Sequence, residues 1–406
     1  MVFKCQEDSF LKEFSTTVIT CEKTDHGFNV ICEDTVLFPE GGGQPSDHGW
    51  LNDYEVKSVT RKGPDAIHFV EGEQAPFLAG DRVHQRINWE RRFDHMQQHS
   101  GQHLITAIYD KELGYSTRSW WLGAEDSYVD LDAKDVTREQ LEEVEKICNQ
   151  LIVACTPVTV DVYQPNDPEL KSGNTRTRGL PDDISGPLRV VAIDGIEKNM
   201  CCGTHVKNLA QLQAIKFLNV EKSKNKCLVH FLVGNRIVRK LTECYDREIQ
   251  FNNLLNGGPS SHIDLIKKLQ VTVKSMQKSS KKLSTELAVH EAEKINSLDP
   301  KPKFYAIHRT DGADSDFINV FLRNIKLTDC FFFLTNGDES GKGQLLLYGK
   351  PEEIALLGED ICNILDGKGT GKGSRFNAKV NKLKPSNLDQ CQKLVEQYFN
   401  LSTVEK

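Results

Sequence analysis

Along the first ninety residues apolar and polar side chains change places in short runs. TTVITCEK, FNVICEDTVLF and EVKSVTRK alternate with the period of a half-buried strand, and turn residues separate them. This pattern predicts a small N-terminal β-barrel over residues 1–88, with a sandwich as the other closed form. At Trp89 the period lengthens. WERRFDHMQQHSGQHLITAIYDKELG reads as a single helix ending near Gly114, followed by a strand in SYVDLDA, a helix in TREQLEEVEKICNQLIVA and a strand in PVTVDVYQ. The strand-like LRVVAIDGI, the turn CCGTH and the paired strands of AIKFLNVEKSKNKCLVHFLVG complete an α+β core over 89–235.

Helical spacing returns from about Arg236 to Asn256 and from about Ser260 to Ile295, across the connector NGGPSS. In the second run Ile266, Leu269, Val273, Met276, Leu283 and Leu287 keep a three-four spacing that Ser280 interrupts once. An antiparallel helical hairpin over 236–297 is expected, and it is a candidate element for oligomerisation. Beyond LDPKPK, the runs KFYAIHR, DCFFFLT and GQLLLYG alternate with helical stretches at Asp314 to Ile325, Pro351 to Leu365 and Ser386 to Leu401. That is a C-terminal α/β domain over 298–406. The chain as a whole reads as α+β and multidomain.

Composition narrows the function classes. A chain of 406 residues with 38% hydrophobic side chains can bury several cores. Its start, MVFKCQEDSFLKEF, has no apolar signal-peptide core, and no apolar run approaches a membrane span, so a cytoplasmic protein without membrane partners is expected. The twelve cysteines are scattered, unlike the framework of a small secreted domain. A formal charge of -7 argues against a general polyanion binder. No DNA partner is expected, and any contact with RNA must be local.

Against that background two short stretches stand out. In HSGQH, His99 and His103 are four apart and share a helix face; about a hundred residues later CCGTH supplies Cys201 and His205 beside Gly203, where the chain can turn tightly. A lone His-x3-His pair is a weak signal, since capped or core histidines are commoner. The second cluster changes the balance. Three imidazoles and one thiolate satisfy four-coordinate zinc, so His99, His103, Cys201 and His205 are the candidate ligands of one Zn2+ per chain. Cys202 points away from its neighbour and reads as a small buried hydrophobe.

These motifs also carry a resemblance. FPEGGGQPSDHG (Phe38 to Gly49), HSGQHL and CCGTHV, with RGLPDDISGPLRVVAIDGIEKNM before the last, resemble the motifs of the trans-acting alanyl-tRNA editing proteins of the AlaX type, relatives of the synthetase's editing domain. The resemblance is dense from Val2 to about Lys240 and follows the family's long form. Further on it thins, although GKGTGKGSRFNAK (Gly367 to Lys379) resembles a degenerate form of the synthetase's C-terminal glycine-rich segment. It implies a zinc-dependent hydrolase that removes a wrong amino acid, chiefly serine and alternatively glycine, from mischarged alanine tRNA. Only about ninety residues precede the first histidine signature, too few for an aminoacylation region, so charging is not expected. Such editing is useful because a pocket for alanine discriminates poorly against near-isosteres.

If all four ligands stay bound, zinc has no free position, and it is expected to orient the substrate while an ordered water attacks the ester. Serine must then be read by polar groups. Gln44 in the glycine loop and Thr117 or Ser119 after the first helix are the candidates. Arg91, Arg92, the Lys222 to Lys226 segment and the Lys368 to Arg375 loop are candidate phosphate contacts. GKGTGKGS is not a nucleotide-binding loop, because the sixth position from Gly367 is Lys372 where a glycine is required. The competing function class is a non-catalytic zinc-containing RNA-binding or scaffold protein derived from the same fold.

Overall fold

The N-terminal alternation closes into a barrel. Past one helical turn, α1 (Lys4–Glu7), six strands follow: β1 (Glu13–Thr24), β2 (Gly27–Cys32), β3 (Gly49–Leu51), β4 (Tyr54–Lys62), β5 (Asp65–Glu71) and β6 (Arg82–Ile87). They pair in the order β1-β2-β5-β4-β3-β6, which removes every free edge. Val18, Val30, Val56, Val59, Val70 and Val83, the inward members of each alternation, are buried inside. A computed structural model describes residues 2–164, 167–171, 187–223, 226–309, 315–337 and 340–401, and the chain forms two compact units, Met1–Gln250 and Phe251–Lys406.

The first unit is organised around helix α2 (Trp89–Leu113). Asn88 caps it by accepting from the Arg91 N–H at 3.1 Å, and Gly114, with φ 67°, ends it. Between Arg92 and Tyr109 almost every residue is buried, so the helix has two covered faces. Met96, Leu104, Ile105 and Ile108 join the main core, whereas Arg92, His95, His99, Gln102, His103 and Thr106 are polar and equally enclosed. Buried polar groups must find partners, and the functional chemistry lies along this second face.

Around α2 come β7 (Thr117–Leu122), β8 (Ser127–Leu131), α3 (Arg138–Val153), β9 (Val158–Tyr163), α4 (Pro168–Lys171), β10 (Leu188–Ile193), β11 (Glu197–Met200), β12 (Ile215–Ser223) and β13 (Lys226–Val233). They form a sheet in the order β12-β13-β8-β7 and a smaller one in the order β11-β10-β9. Gly101, inside HSGQH, lets α2 settle onto the larger sheet: a Cβ there would lie 2.6 Å from Val233 Cγ2. Two side chains bolt the contact. Gln98 bonds both the N–H and the carbonyl of Val233, at 3.2 and 2.9 Å, and buried Arg236 grips Asp94 with two bonds of 2.8 and 2.7 Å. Arg236 opens helix α5 (Asn235–Leu255).

In the second unit α6 (His262–Asn296) is followed by β14 (Phe304–Arg309), α7 (Ser315–Asn324), β15 (Phe331–Gly337), β16 (Gly343–Tyr348), α8 (Pro351–Ile364), β17 (Gly367–Lys372), β18 (Arg375–Val380) and α9 (Pro385–Leu401). The sheet runs β14-β15-β16-β18-β17, with only the first pair parallel. Two findings differ from the reading of the sequence. On α6 the expected seam is exposed, with Ile266 at 40%, Val273 at 51% and Met276 at 66% of full exposure, and the buried positions are Ala288, Ala292 and Ile295 near its end, against Phe317 and Phe321 of α7. Small side chains let those two helices approach, which a search for large apolar residues overlooks. The segment from Lys368 to Arg375, read as a loop, is mostly strand β17 and its turn into β18.

Candidate metal centre

His99 and His103 stack along the polar face of α2, one turn apart, with ring centroids 5.1 Å from each other. The turn after β11 brings Cys201 and His205 against them. The four donor atoms all lie within 4.8 Å of one another, and Cys201 Sγ is 3.5 Å from His99 Nε2 and 3.3 Å from His205 Nε2. The sequence prediction of these four residues thus describes one enclosed cluster. Three imidazoles and a thiol in such a space can hold a metal ion such as zinc.

Each element of the cradle is built by close approach. Gly203 packs directly on His99, where an added Cβ would come within 2.3 Å of the ring. The buried guanidinium of Arg189 on β10 donates from Nη1 to the carbonyls of Cys201 and Gly203, at 3.0 and 2.7 Å, and so pins the turn at both ends. From the other side comes the glycine loop. Gly41 and Gln44 exchange both backbone hydrogen bonds around Gly42 (φ 60°) and Gly43 (φ 78°), a two-residue turn with both central residues left-handed, which favours glycine strongly. Side chains are also sterically unwelcome there: a Cβ on Gly42 would sit 2.9 Å from Cys202 Sγ, and one on Gly43 2.5 Å from Trp120 Nε1. Cys202 therefore faces the glycine turn while Cys201 faces the histidines.

Burial sets the electrostatics. It drives the His99 and His205 imidazoles well below the ordinary histidine range, with the close approach of the neighbouring imidazoles and the Arg189 guanidinium adding to the effect, so both rings are neutral and available as ligands. Burial pushes the Cys201 thiol the other way, up to about 12, and Cys202 adds to the rise. A cation is what would stabilise its thiolate.

Other residues singled out from the sequence are placed as follows. Gln44 is fully buried beside the cluster: its Oε1 lies 2.9 Å from His99 Nδ1 and accepts from the Thr204 N–H at 3.0 Å, while its Nε2 donates to Thr204 Oγ1 at 2.8 Å. Thr117 donates to Thr106 Oγ1 at 3.2 Å, on the same helix face as the histidines. Ser119 pairs across the strands with Asp130, 3.5 Å away, on an exposed stretch of β7. Arg92 is corrected as a phosphate contact. It is fully buried, donating to the carbonyls of Ser9 and Val36 and from Nε to Asp47 at 2.8 Å. Arg91 donates to the Ser46 carbonyl, and Lys222 is paired with Asp135. Residues 172–186, which include the RGLPDDISG stretch, and residues 224–225 of the Lys222 to Lys226 segment lie outside the described residues.

Sequence reasoning missed Gln102. Its Nε2 donates to Thr106 Oγ1 at 2.8 Å, and its Oε1 is buried with no hydrogen-bond partner among the described residues. It also missed Ser100, whose hydroxyl accepts from the Val206 N–H and lies 3.1 Å from His205 Nδ1. The only signal was the four-residue spacing of Gln102 and Thr106, which many helices share.

Comparison with known proteins agrees with this geometry. The family profile described as the threonyl and alanyl tRNA synthetase second additional domain matches residues 188–229, the stretch from β10 through the cysteine turn into β13. Alanyl-tRNA editing protein Aarsd1-A of Xenopus laevis is 46% identical, over 94% of this chain and 95% of its own length. Alanyl-tRNA editing protein Aarsd1 of Mus musculus is 44% identical over the whole of both. Alanyl-tRNA editing protein AlaX-M of Methanosarcina barkeri, 34% identical, covers 55% of this chain with 95% of its own length. With near-complete coverage at such identity, and the resembling motifs meeting at one enclosed centre, the chain belongs to the alanyl-tRNA editing protein family of the AlaX type, in the long form that vertebrates carry.

Proposed function

We propose that the chain edits in trans: it hydrolyses the ester that joins serine to alanine tRNA, with glycine as the alternative amino acid. One observation carries the reading, the convergence of His99 and His103 from α2 with Cys201 and His205 in an enclosed cradle where burial keeps the His99 and His205 rings neutral. His99, His103, Cys201 and His205 would hold one zinc, and its positive charge would supply orientation and polarisation of the aminoacyl group. The rest is done by the chain. Enclosure excludes bulk water and so strengthens polar contacts to the substrate. Gln102 Oε1 offers a buried acceptor one residue before His103, and Thr106 and Thr117 extend the polar track by about another helical turn. A serine hydroxyl donating there satisfies a group that alanine leaves unpaired, which is how such sites discriminate. Ser119, another of the candidates, acts with Asp130 across the strand pair.

We place the activity in the cytoplasm; no helix among the described residues is long and apolar enough to cross a membrane. For tRNA we propose a second, local contact in the C-terminal unit. Lys368, Arg375 and Lys379 line a cleft of about 420 Å³ together with Asn319, Gln344 and Asn377, a set that suits phosphate oxygens. The division into 1–88, 89–235, 236–297 and 298–406, with the helical segment as an oligomerisation element, belongs to this proposal.

The test uses purified full-length protein with Ser-tRNA(Ala) and Ala-tRNA(Ala), alongside elemental analysis. Expected are rapid release of serine, sparing of alanine, and one zinc per chain that is lost in a His99→Ala, Cys201→Ala double variant. Stoichiometric zinc in that variant rejects the ligand assignment. A zinc-loaded wild type that spares both esters favours the RNA-binding or scaffold alternative.

A further inference from the structure

The glycine loop was read from the sequence as facing substrate, yet its one functional side chain is turned entirely inward. The orientation of the Gln44 carboxamide is fixed by a group that has no choice of role. The backbone N–H of Thr204 can only donate, and it meets Gln44 at 3.0 Å, so the atom there is the oxygen; the amide nitrogen then donates to Thr204 Oγ1 at 2.8 Å. The same oxygen lies 2.9 Å from His99 Nδ1. An oxygen acceptor at that nitrogen requires it to carry the ring proton, which leaves the lone pair on Nε2, the nitrogen 3.5 Å from Cys201 Sγ. At His205 the outcome is open, because Ser100 Oγ can donate to or accept from Nδ1. His99 is thus a ring whose tautomer is forced.

From this we infer that Gln44 is a positioning residue for the metal centre: delivered by the Gly42–Gly43 turn, it selects the His99 tautomer and ring orientation that present Nε2 to the ion, and it does not contact serine. The inference rests on the reading of the four-residue cluster as a zinc site. It explains three features together. Gln44 is fully buried. The turn before it has two left-handed glycines that let it pass between Cys202 and Trp120. Gly203 has no side chain because a Cβ would lie 2.8 Å from Gln44 Oε1 as well as against the His99 ring. Partners of this kind, hydrogen-bonded to the far nitrogen of a ligand histidine, typically change metal affinity by about 10–100-fold when removed.

Three full-length variants test it, with zinc affinity read by competition against a chromogenic chelator and the ligand field read from the visible spectrum after cobalt substitution. Gln44→Met keeps the volume and loses the acceptor; its zinc affinity should fall by about 10–100-fold. Gln44→Glu keeps an acceptor at His99 Nδ1 and should bind zinc at least as tightly as wild type, with shifted cobalt bands. Thr204→Val removes the hydroxyl partner and keeps the backbone N–H, so affinity should stay within about threefold, below the range seen when such a partner is lost. Wild-type affinity in Gln44→Met, or an equal loss in the Met and Glu variants, overturns the inference. If Gln44→Met fails to fold, Gln44→Glu decides, and weakening by about tenfold or more there is the overturning result. A wild-type protein that binds no zinc would instead sink the reading of the site itself.

Discussion

Two glycine-rich segments in this molecule look alike in sequence and are built for different ends. GGGQ, ahead of β3, forms a turn with two left-handed glycines wedged between Cys202 and Trp120, and Gln44 behind it is fully buried. GKGTGK is instead strand β17 at the edge of the C-terminal sheet. There the glycines alternate with exposed polar residues, and what they permit is close packing: a Cβ on Gly367 would lie 2.8 Å from Cys362 Sγ of α8, and one on Gly371 2.8 Å from the Phe376 ring. The intervening lysines face the other way, Lys368 toward the cationic cleft. Glycine thus signals a tight backbone in both places, and the neighbours decide whether that tightness serves a site or a helix packed on a sheet.

The two segments also differ in anchoring, which gives the largest expected effect. Asp47 closes the first one by accepting from the Phe38 N–H at 2.7 Å, and it is paired with Arg92 of α2 where neither side chain is exposed. Asp47→Ala leaves a buried guanidinium unpaired, and we expect it to destabilise the first unit by about 3–5 kcal/mol, with loss of zinc at physiological temperature. Urea unfolding followed by the intrinsic fluorescence of the four tryptophans, all of which lie in the first unit, measures it; a change below about 1 kcal/mol would mean that the ion pair is dispensable. The second expected effect lies at Gly43. A Gly43→Ala substitution adds a Cβ at φ 78° and 2.5 Å from Trp120 Nε1, which should cost about 1–3 kcal/mol and lower serine release by about tenfold, with tRNA affinity unchanged in a filter-binding assay. Unaltered serine release would show that the turn has no part in the site.

How far the sequence disclosed this depended on what each signal encodes. Alternation showed the barrel, and periodicity with its cap signals placed α2 from Trp89 to Gly114, because period and capping are local properties. The clustering of His99, His103, Cys201 and His205 was legible because few chemistries need two imidazoles four apart and a Cys-x3-His. Arg92 was misjudged as a phosphate contact: charge is visible in a sequence, but the carboxylate that buries it, Asp47, is forty-five positions away. Gln102 was invisible for a related reason, since an unpaired carboxamide oxygen is defined by what fails to surround it. On α6 large apolar residues drew attention to a face that is exposed, while alanines made the buried contact.

The cationic cleft supplies the next test of the contrast, with a smaller expected effect. Lys368→Ala, Arg375→Ala and Lys379→Ala combined should weaken tRNA binding by about tenfold at moderate salt and reduce the slope of log affinity against log salt by about 2, since each phosphate contact on single-stranded segments contributes about 0.7. Zinc content should stay at the wild-type value. An unchanged salt slope would remove the cleft from the RNA interface.

The smallest effect is expected at Gly373, and it isolates backbone from surroundings. Gly373 opens the two-residue turn between Lys372 and Arg375, with φ 61°, so its conformation is left-handed as at Gly42. Yet among the described residues nothing lies within 4 Å of where its Cβ would be, whereas Gly42 faces a sulfur at 2.9 Å. Gly373→Ala therefore carries the conformational cost alone, about 1 kcal/mol, with no steric addition. Gly42→Ala carries both, although the Cys202 thiol can yield by a few tenths of an ångström. Thermal unfolding of the two variants should rank Gly42→Ala as the more destabilised, and removing the sulfur in a Gly42→Ala, Cys202→Ala double variant should bring its penalty close to that of Gly373→Ala. If the two single variants are equally destabilised, the contact with Cys202 adds nothing, and the requirement for glycine in the first segment is one of backbone angle alone.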